Sequence, residues 1–410
     1  MKKNTRTALT LIAFSTPFIS MTAQGAGLQL MPGSSNFGTA GAGHAAAGFG
    51  AGSAWANPAT MVLVEDQQIG FGIIAAETDV NFNPDSVDGN GGGDAGGNLY
   101  IPSFAYVNSI NENVSVGFSV VVPYGNSLSY DEEWDGNNVA TDVSLTTIQA
   151  MPSIAYRINE QFSVGMGISA NHTSVTQDLK LMGHNTELEA DSVDYGYTIG
   201  GLYEINENHR LGFVYRSQVD SDLEGSGSLN NGGQSPLNGD YDTNLDWVNP
   251  ASIVFSGVHQ VSERTSILWD VGRTYYSAFE TTNINIQDAP IDELSEITLH
   301  RNWEDTNRYA IGTHYQLNNQ VILQAGVAYE DSVVSDENRT VDMPLDRTIR
   351  YSMGALYQMN TDTQLAFGVE YVDLGDAKVT SEGSPPPFTG PDGSYDASAL
   401  AASFSVNYQF

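Results

Sequence analysis

The chain has 410 residues, of which 49 are acidic and 15 basic, giving a formal charge of −34. So acidic a protein is excluded as a nucleic-acid binder, since those gather lysine and arginine, and a mean hydropathy of −0.23 excludes a bundle of membrane helices. With 42 glycines, 20 tyrosines and 16 phenylalanines it suits turns and strands, and its lack of cysteine fits an exported chain.

The first element is an export signal. Met1, Lys2, Lys3 and Arg6 are followed by an apolar run from Ala8 to Ile19, short for a membrane span. Ala23-Gln24-Gly25 supplies small residues for cleavage before Ala26, so residues 1–25 read as a signal peptide; a retained anchor is the alternative. Residues 26–66 are small, glycine-rich and almost uncharged. They are expected to form a plug with short helices. Gly38, Gly41, Gly43, Gly48, Gly50 and Gly52 are expected to keep it easily reshaped, with few anchors.

From residue 67 to 410 the pattern has period two. Phe162, Val164, Met166 and Ile168 alternate with Ser163, Gly165, Gly167 and Ser169; Leu365 to Tyr371 and Phe404 to Phe410 repeat it. Short polar turns recur at Asn111-Glu112, Asn159-Glu160, Asn206-Glu207, Ser262-Glu263, Asn318-Asn319 and Asn360-Thr361. Long loops rich in Gly, Asp, Asn and Ser lie between, as at residues 81–97, 220–246 and 373–396. Six hairpins, a strand before them (about Gln67 to Val80) and one after (about Ser398 to Phe410) predict fourteen strands. An even count, short turns on one side and long loops on the other describe an all-β outer-membrane barrel, whose closure removes the edges lipid would not tolerate. Tyr106, Tyr156, Tyr203, Tyr215, Tyr315, Tyr329, Tyr357 and Tyr371 fall near strand ends, where aromatic belts are expected.

Particular residues resemble those of the FadL family, the long-chain fatty acid transporters of Gram-negative outer membranes. Ala26 to Leu30 (AGLQL) is similar to the family's mature N-terminus, and SSNFGTAGAG to the turn that follows. Asn57-Pro58-Ala59 matches its NPA motif, Tyr215-Arg216-Ser217 its YRS, and Arg308 to Lys378 follows its order and spacing. The resemblance implies a fourteen-stranded barrel with an N-terminal hatch. It also implies capture of an apolar ligand among the outer loops, a pocket against the hatch, and exit through the wall beside a kinked third strand.

Pro123, in Val122-Pro123-Tyr124-Gly125 of a strand from about Val114 to Tyr124, is the candidate for that lateral gate; otherwise it ends the strand. Leu28, Leu30 and Phe37 are candidate pocket residues or ordinary hatch packing. A carboxylate ligand needs a cation or strong donors. His300-Arg301 stands where fatty-acid members carry Lys-His-Glu, though here with Leu299 first. Lys180 lies beside Leu179, the strict counterpart of a family arginine. Arg301 and Lys180 are candidates for the head group, or solvated loop charges. No nucleophile elbow, zinc-protease helix or P-loop is present, so no catalytic residue, cofactor or metal is assigned; a barrel hydrolase is the enzymatic alternative. Expected partners are outer-membrane lipid and lipopolysaccharide, the barrel-assembly machinery, and a long-chain fatty acid or similar hydrophobic molecule. The protein is expected to be a monomer. Neutral aromatic or aliphatic hydrocarbons are the alternative cargo, and a general diffusion porin the alternative class.

Overall fold

The structure is a computed structural model describing Leu30 and residues 35–381 and 388–410; the expected signal peptide and Leu28 lie outside these. Its strands are β1 (Gln67–Pro84), β2 (Asn98–Asn111), β3 (Val114–Ser129), β4 (Asp142–Arg157), β5 (Phe162–Leu181), β6 (His184–Asn206), β7 (His209–Arg216), β8 (Val219–Asn230), β9 (Gly239–Asn249), β10 (Ser252–Gln260), β11 (Thr265–Thr274), β12 (Thr281–Ile286), β13 (Glu296–His300), β14 (Thr306–Gln316), β15 (Val321–Glu330), β16 (Thr348–Gln358), β17 (Thr363–Asp373), β18 (Lys378–Val379) and β19 (Gly393–Gln409). β7 continues as β8 along β6, and β9 leads into β10, while β12, β13 and β18 belong to the loops. That leaves fourteen wall strands, antiparallel throughout, and β1 closes on β19 from Gln68↔Gln409 to Pro84↔Gly393.

The alternation is resolved as expected. Phe162, Val164, Met166 and Ile168 point into lipid, and Ile168 is 57% exposed. Ser163 and Ser169 are buried inside. The six short turns fall between strands as the sequence predicts, and asparagine makes five of them: Asn111, Asn159, Asn318 and Asn360 each accept from the backbone N–H groups two and three residues on, at 2.8–3.0 Å, and Asn206 from Asn208 N. Such side chains mimic a backbone turn and let the chain reverse without glycine.

The loop side departs from the sequence reading. Residues 220–246, expected as loop, are mostly β8 and β9, and β1 and β19 run past their expected ends to Pro84 and from Gly393. Acidic residues hid the pattern: Val219, Ser221 and Leu223 are buried while Asp220, Asp222 and Glu224 face water. This part of the sheet stands outside the membrane, so its outer face is polar and no lipid-facing stripe marks it. β3 also runs on to Ser129; Pro123 does not end it but sits in a bulge between Val121 and Tyr124.

Within the barrel, residues 35–64 form 3-10 turns at Phe37–Thr39, Gly50–Gly52 and Pro58–Leu63 and one helical turn, α1 (Ser53–Ala56). Nearly all of this segment is buried. Wall glycines give it room. A Cβ at Gly165, Gly200 or Gly212 would come within 2.3, 1.8 or 1.9 Å of Ala59 N, Asn57 Oδ1 or Ala45 O respectively.

Candidate functional site

One apolar cavity lies among the loop-side strands and another against the plug. The outer one forms where β5, β6, β8 and β9 rise above the membrane and the β12–β13 hairpin docks on β9 through Ile284↔Leu245. It encloses about 850 Å³ including its mouth, walled by Leu179, Leu188, Leu229, Ile284, Ile297 and Leu299. His300, exposed, and Arg301, 4% exposed, line one end. Arg301 grips Asp342 with both terminal nitrogens (Nη1–Oδ1 3.0 Å, Nη2–Oδ2 2.7 Å), and Nη1 also donates to Thr340 at 2.9 Å. Burial, the largest single influence, opposes ionisation of Asp342, but the charge of Arg301 and the hydrogen bonds from Arg301 and Thr340 together outweigh it and hold the carboxyl below its usual range. The arginine that the sequence offered as a head-group cation is thus already neutralised. Lys180 lines an adjoining polar cavity with Asp142, Asp178 and Glu187, and is paired with Glu133. Its neighbour Leu179, pointing the other way as strand alternation requires, faces the apolar cavity.

The inner cavity, about 560 Å³, is walled by Leu30, Phe37, Ile74, Leu99, Ile101 and Ala401, so two of the candidate residues, Leu30 and Phe37, line one cavity. Arg350 and Glu370 close one end at 2.8 Å, with Ser352 Oγ donating to Glu370 at 2.6 Å. The β2–β3 ladder stops at Phe104↔Val120, although β2 remains paired with β1 to Asn98. Beyond the break, Leu30 N–H donates to Pro123 O at 2.9 Å. A carbonyl released by the neighbouring strand needs a donor in the absence of water, and the plug segment supplies it.

The plug is held more firmly than its composition suggested; the expectation of few anchors fails. Asp270, buried, accepts through Oδ1 from Gly43 N (2.8 Å) and His44 N (3.1 Å), and its Oδ2 pairs with Arg308 Nη1 (3.4 Å). Arg308 also donates to Ala40 O. Ser256 Oγ takes Ala45 N at 2.9 Å, and Gln324 Nε2 donates to Ser35 O at 2.7 Å. Asn57 explains its motif: its Oδ1 caps Ala59 N (3.0 Å), while Nδ2 donates to Ala45 O (2.6 Å) and Gly201 O (3.1 Å). Pro58 begins the following turn, where a missing N–H costs nothing, and Ala59 is small enough for its seat at Gly165. Sequence reasoning passed over Asp270 and Arg308. The available signal was a full charge at a lumen-facing position of β11 and of β14.

A closed fourteen-stranded barrel with a lipid-facing apolar band, filled by its own N-terminal segment, defines a plugged outer-membrane barrel. The chain belongs to the outer membrane protein transport protein family (OMPP1/FadL/TodX), whose model matches residues 16–410. It is 25% identical over 395 residues to the long-chain fatty acid transport protein of Escherichia coli (strain K12), covering 84% of this chain and 87% of that one. It is 28% identical over 381 residues to the 47 kDa outer membrane protein of Pasteurella multocida, with 85% and 87% covered. A Pseudomonas aeruginosa FadL homologue superimposes with a TM-score of 0.85 at 21% identity, over 94% of this chain and all of that one (100%). The Pseudomonas putida toluene transporter TodX gives 0.72 at 18% identity, over 93% and 99%. The protein is therefore an outer-membrane barrel of Gram-negative type, in a family of transport proteins.

Proposed function

We propose that this chain carries long-chain fatty acids or similar hydrophobic molecules inward across the outer membrane. Residues 1–25 act as the signal peptide, 26–66 as the hatch and 67–410 as the barrel. The ligand lodges in the outer cavity, passes to the inner one against Leu30 and Phe37, with Leu28 close by in sequence, and leaves sideways at Pro123 once the hatch shifts. The observation that carries this reading is the second cavity, which ends against Leu30 at the point where β3 has parted from β2. An apolar molecule gains nothing by leaving that point for water and much by entering lipid. The protein works as a monomer, is inserted by the barrel-assembly machinery, contacts lipopolysaccharide through its loops, and performs no catalysis.

The test is uptake of labelled oleate by an outer-membrane host lacking its own transporter, with and without this chain. Restored uptake is expected; none, with folded protein in the membrane, would refute fatty acids as cargo. Val122→Trp, beside Pro123, is expected to stop uptake while binding persists, and undiminished uptake would refute the side exit. A second reading, uptake of neutral hydrocarbons, is favoured by the Arg301–Asp342 pair, which leaves no unpaired arginine or lysine among the described residues lining the outer cavity. Uptake of a labelled alkane alone would select it. A steady open conductance in planar bilayers would instead mark a diffusion porin, and fatty acid release from phospholipid by purified protein would reveal a hydrolase.

A further inference from the structure

Arg216 is the last residue of β7 and stands where the wall meets α1. Its guanidinium lies over the Trp55 ring, 4.6 Å from the centroid. Nη2 alone faces three hatch acceptors: Trp55 O (3.0 Å), Ala56 O (3.0 Å) and His44 Nε2 (3.2 Å). A guanidinium has donors only, so His44 presents a bare Nε2 to it and is neutral there. Nε is buried with no partner, and among the described residues Nη1 makes no hydrogen bond. No carboxylate pairs with Arg216 among the described residues, whereas Arg157, Arg273, Arg301, Arg308, Arg347 and Arg350 all have one. In a chain with 49 acidic side chains, this guanidinium, which like that of Arg210 has no ion pair among the described residues, is held by carbonyls, an imidazole and a ring face. A charge so placed is incompletely compensated.

We propose that Arg216 is a docking site for the carboxylate of an amphipathic ligand, and that docking loosens the hatch. The coupling follows from the geometry of the fork. A carboxylate binds a guanidinium best with two parallel bonds, and each two-donor edge, Nε with Nη2 or Nη1 with Nη2, includes Nη2. A two-point grip therefore takes Nη2 away from Trp55 O, Ala56 O or His44. The incoming anion makes the stronger bond, being charged where the hatch acceptors are neutral. The ligand thus exchanges its head group for a contact that holds α1 against the wall. An uncharged ligand of the same length lacks this key. The inference rests on the transport reading, since it requires a ligand in the lumen.

Trp55 reports the event because the guanidinium rests on its ring. Full-length protein in detergent is titrated with dodecanoate and, separately, with dodecanol, and Trp55 emission is taken as the difference from Trp55→Phe. Binding of each ligand is measured in parallel with radiolabel. Dodecanoate is expected to change Trp55 emission to saturation and dodecanol to leave it unchanged. Arg216→Gln is expected to weaken the dodecanoate response about 10-fold or more, the worth of a charge-assisted pair. Arg216→Lys, which keeps the charge without the fork, should fall between. Arg210→Gln, on the same strand face but lining the turn-side vestibule with Gly48, Leu63 and Asp362, should respond as wild type. Equal responses to both ligands, or a wild-type response in Arg216→Gln, would overturn the docking site. If both ligands bind and Trp55 stays silent, the docking site alone is overturned. If neither binds, the transport reading falls and the docking site with it.

Discussion

The turn-side half of the barrel and the wing above the membrane use opposite means to hold their contents. Below, the plug is fixed by directed polar contacts: Asp270 on two backbone amides, Asn57 on three backbone groups, Arg216 and Arg308 on carbonyls. Above, the cavity is bounded by packed Leu and Ile side chains and Phe388, with the buried Arg301–Asp342 pair as a clasp. Polar contacts are specific and exchangeable one for another, so a segment held by them can be released by a competitor of the right chemistry. Apolar walls have no such preference and accept any ligand of suitable girth. On the route proposed above, this difference would put gating in the lower half and capture in the upper.

The largest effect is expected at Asp270. Asp270→Ala leaves Arg308 buried without its carboxylate and two plug amides without an acceptor, a loss of about 3–5 kcal/mol. We expect an earlier unfolding transition and, in planar bilayers, a leak absent from wild type; a closed, normally stable variant would show that the plug is not held there. Gly200→Val puts a methyl group where Asn57 Oδ1 lies, 1.8 Å from the new Cβ. Overpacking of this kind costs about 1–3 kcal/mol and should expose residues 35–64 to added protease. Asn57→Ala removes a cap and is expected to cost about 0.5–2 kcal/mol, with a smaller rise in cleavage of the same segment.

The smallest effect is expected above, from acid. Asp342 has its carboxyl held below the unfolded value of about 3.9, so its clasp contributes stability at all pH values above that. The contribution is lost only as pH falls through the lowered folded value. Amide exchange in residues 331–347 should be flat from neutral pH to the unfolded carboxyl value once corrected for intrinsic rates, then accelerate in stronger acid. Acceleration near neutrality would mean another group holds that loop.

What was legible in the sequence follows the same division. The lipid-facing strands were readable because one face of each must satisfy hydrocarbon, as in Phe162 to Ile168, and the turns because asparagine can act as its own turn former. The wing was not: Asp220, Asp222 and Glu224 alternate with Val219, Ser221 and Leu223, and the acidic half of the pattern looks like loop. Arg301 was found as a candidate from its place in the chain, but its partner Asp342 lies 41 residues on, and only the fold brings them together. Plug anchoring was misjudged for a related reason. The glycines of the plug are visible, yet the groups that hold it, Asp270, Arg308 and the wall glycines, belong to distant strands.

The central claim is that ligand passes the hatch and leaves where Leu30 covers the break at Pro123. Because the chain has no cysteine, Leu30→Cys with Val122→Cys allows the plug segment to be tied reversibly to β3, to which Leu30 N–H is hydrogen-bonded at Pro123 O. The direct measurement is oleate uptake by cells carrying this double variant, oxidised and then reduced. Uptake is expected to be abolished by oxidation and restored by reductant, with each single variant active throughout. Undiminished uptake with the cross-link shown to be complete would contradict the claim.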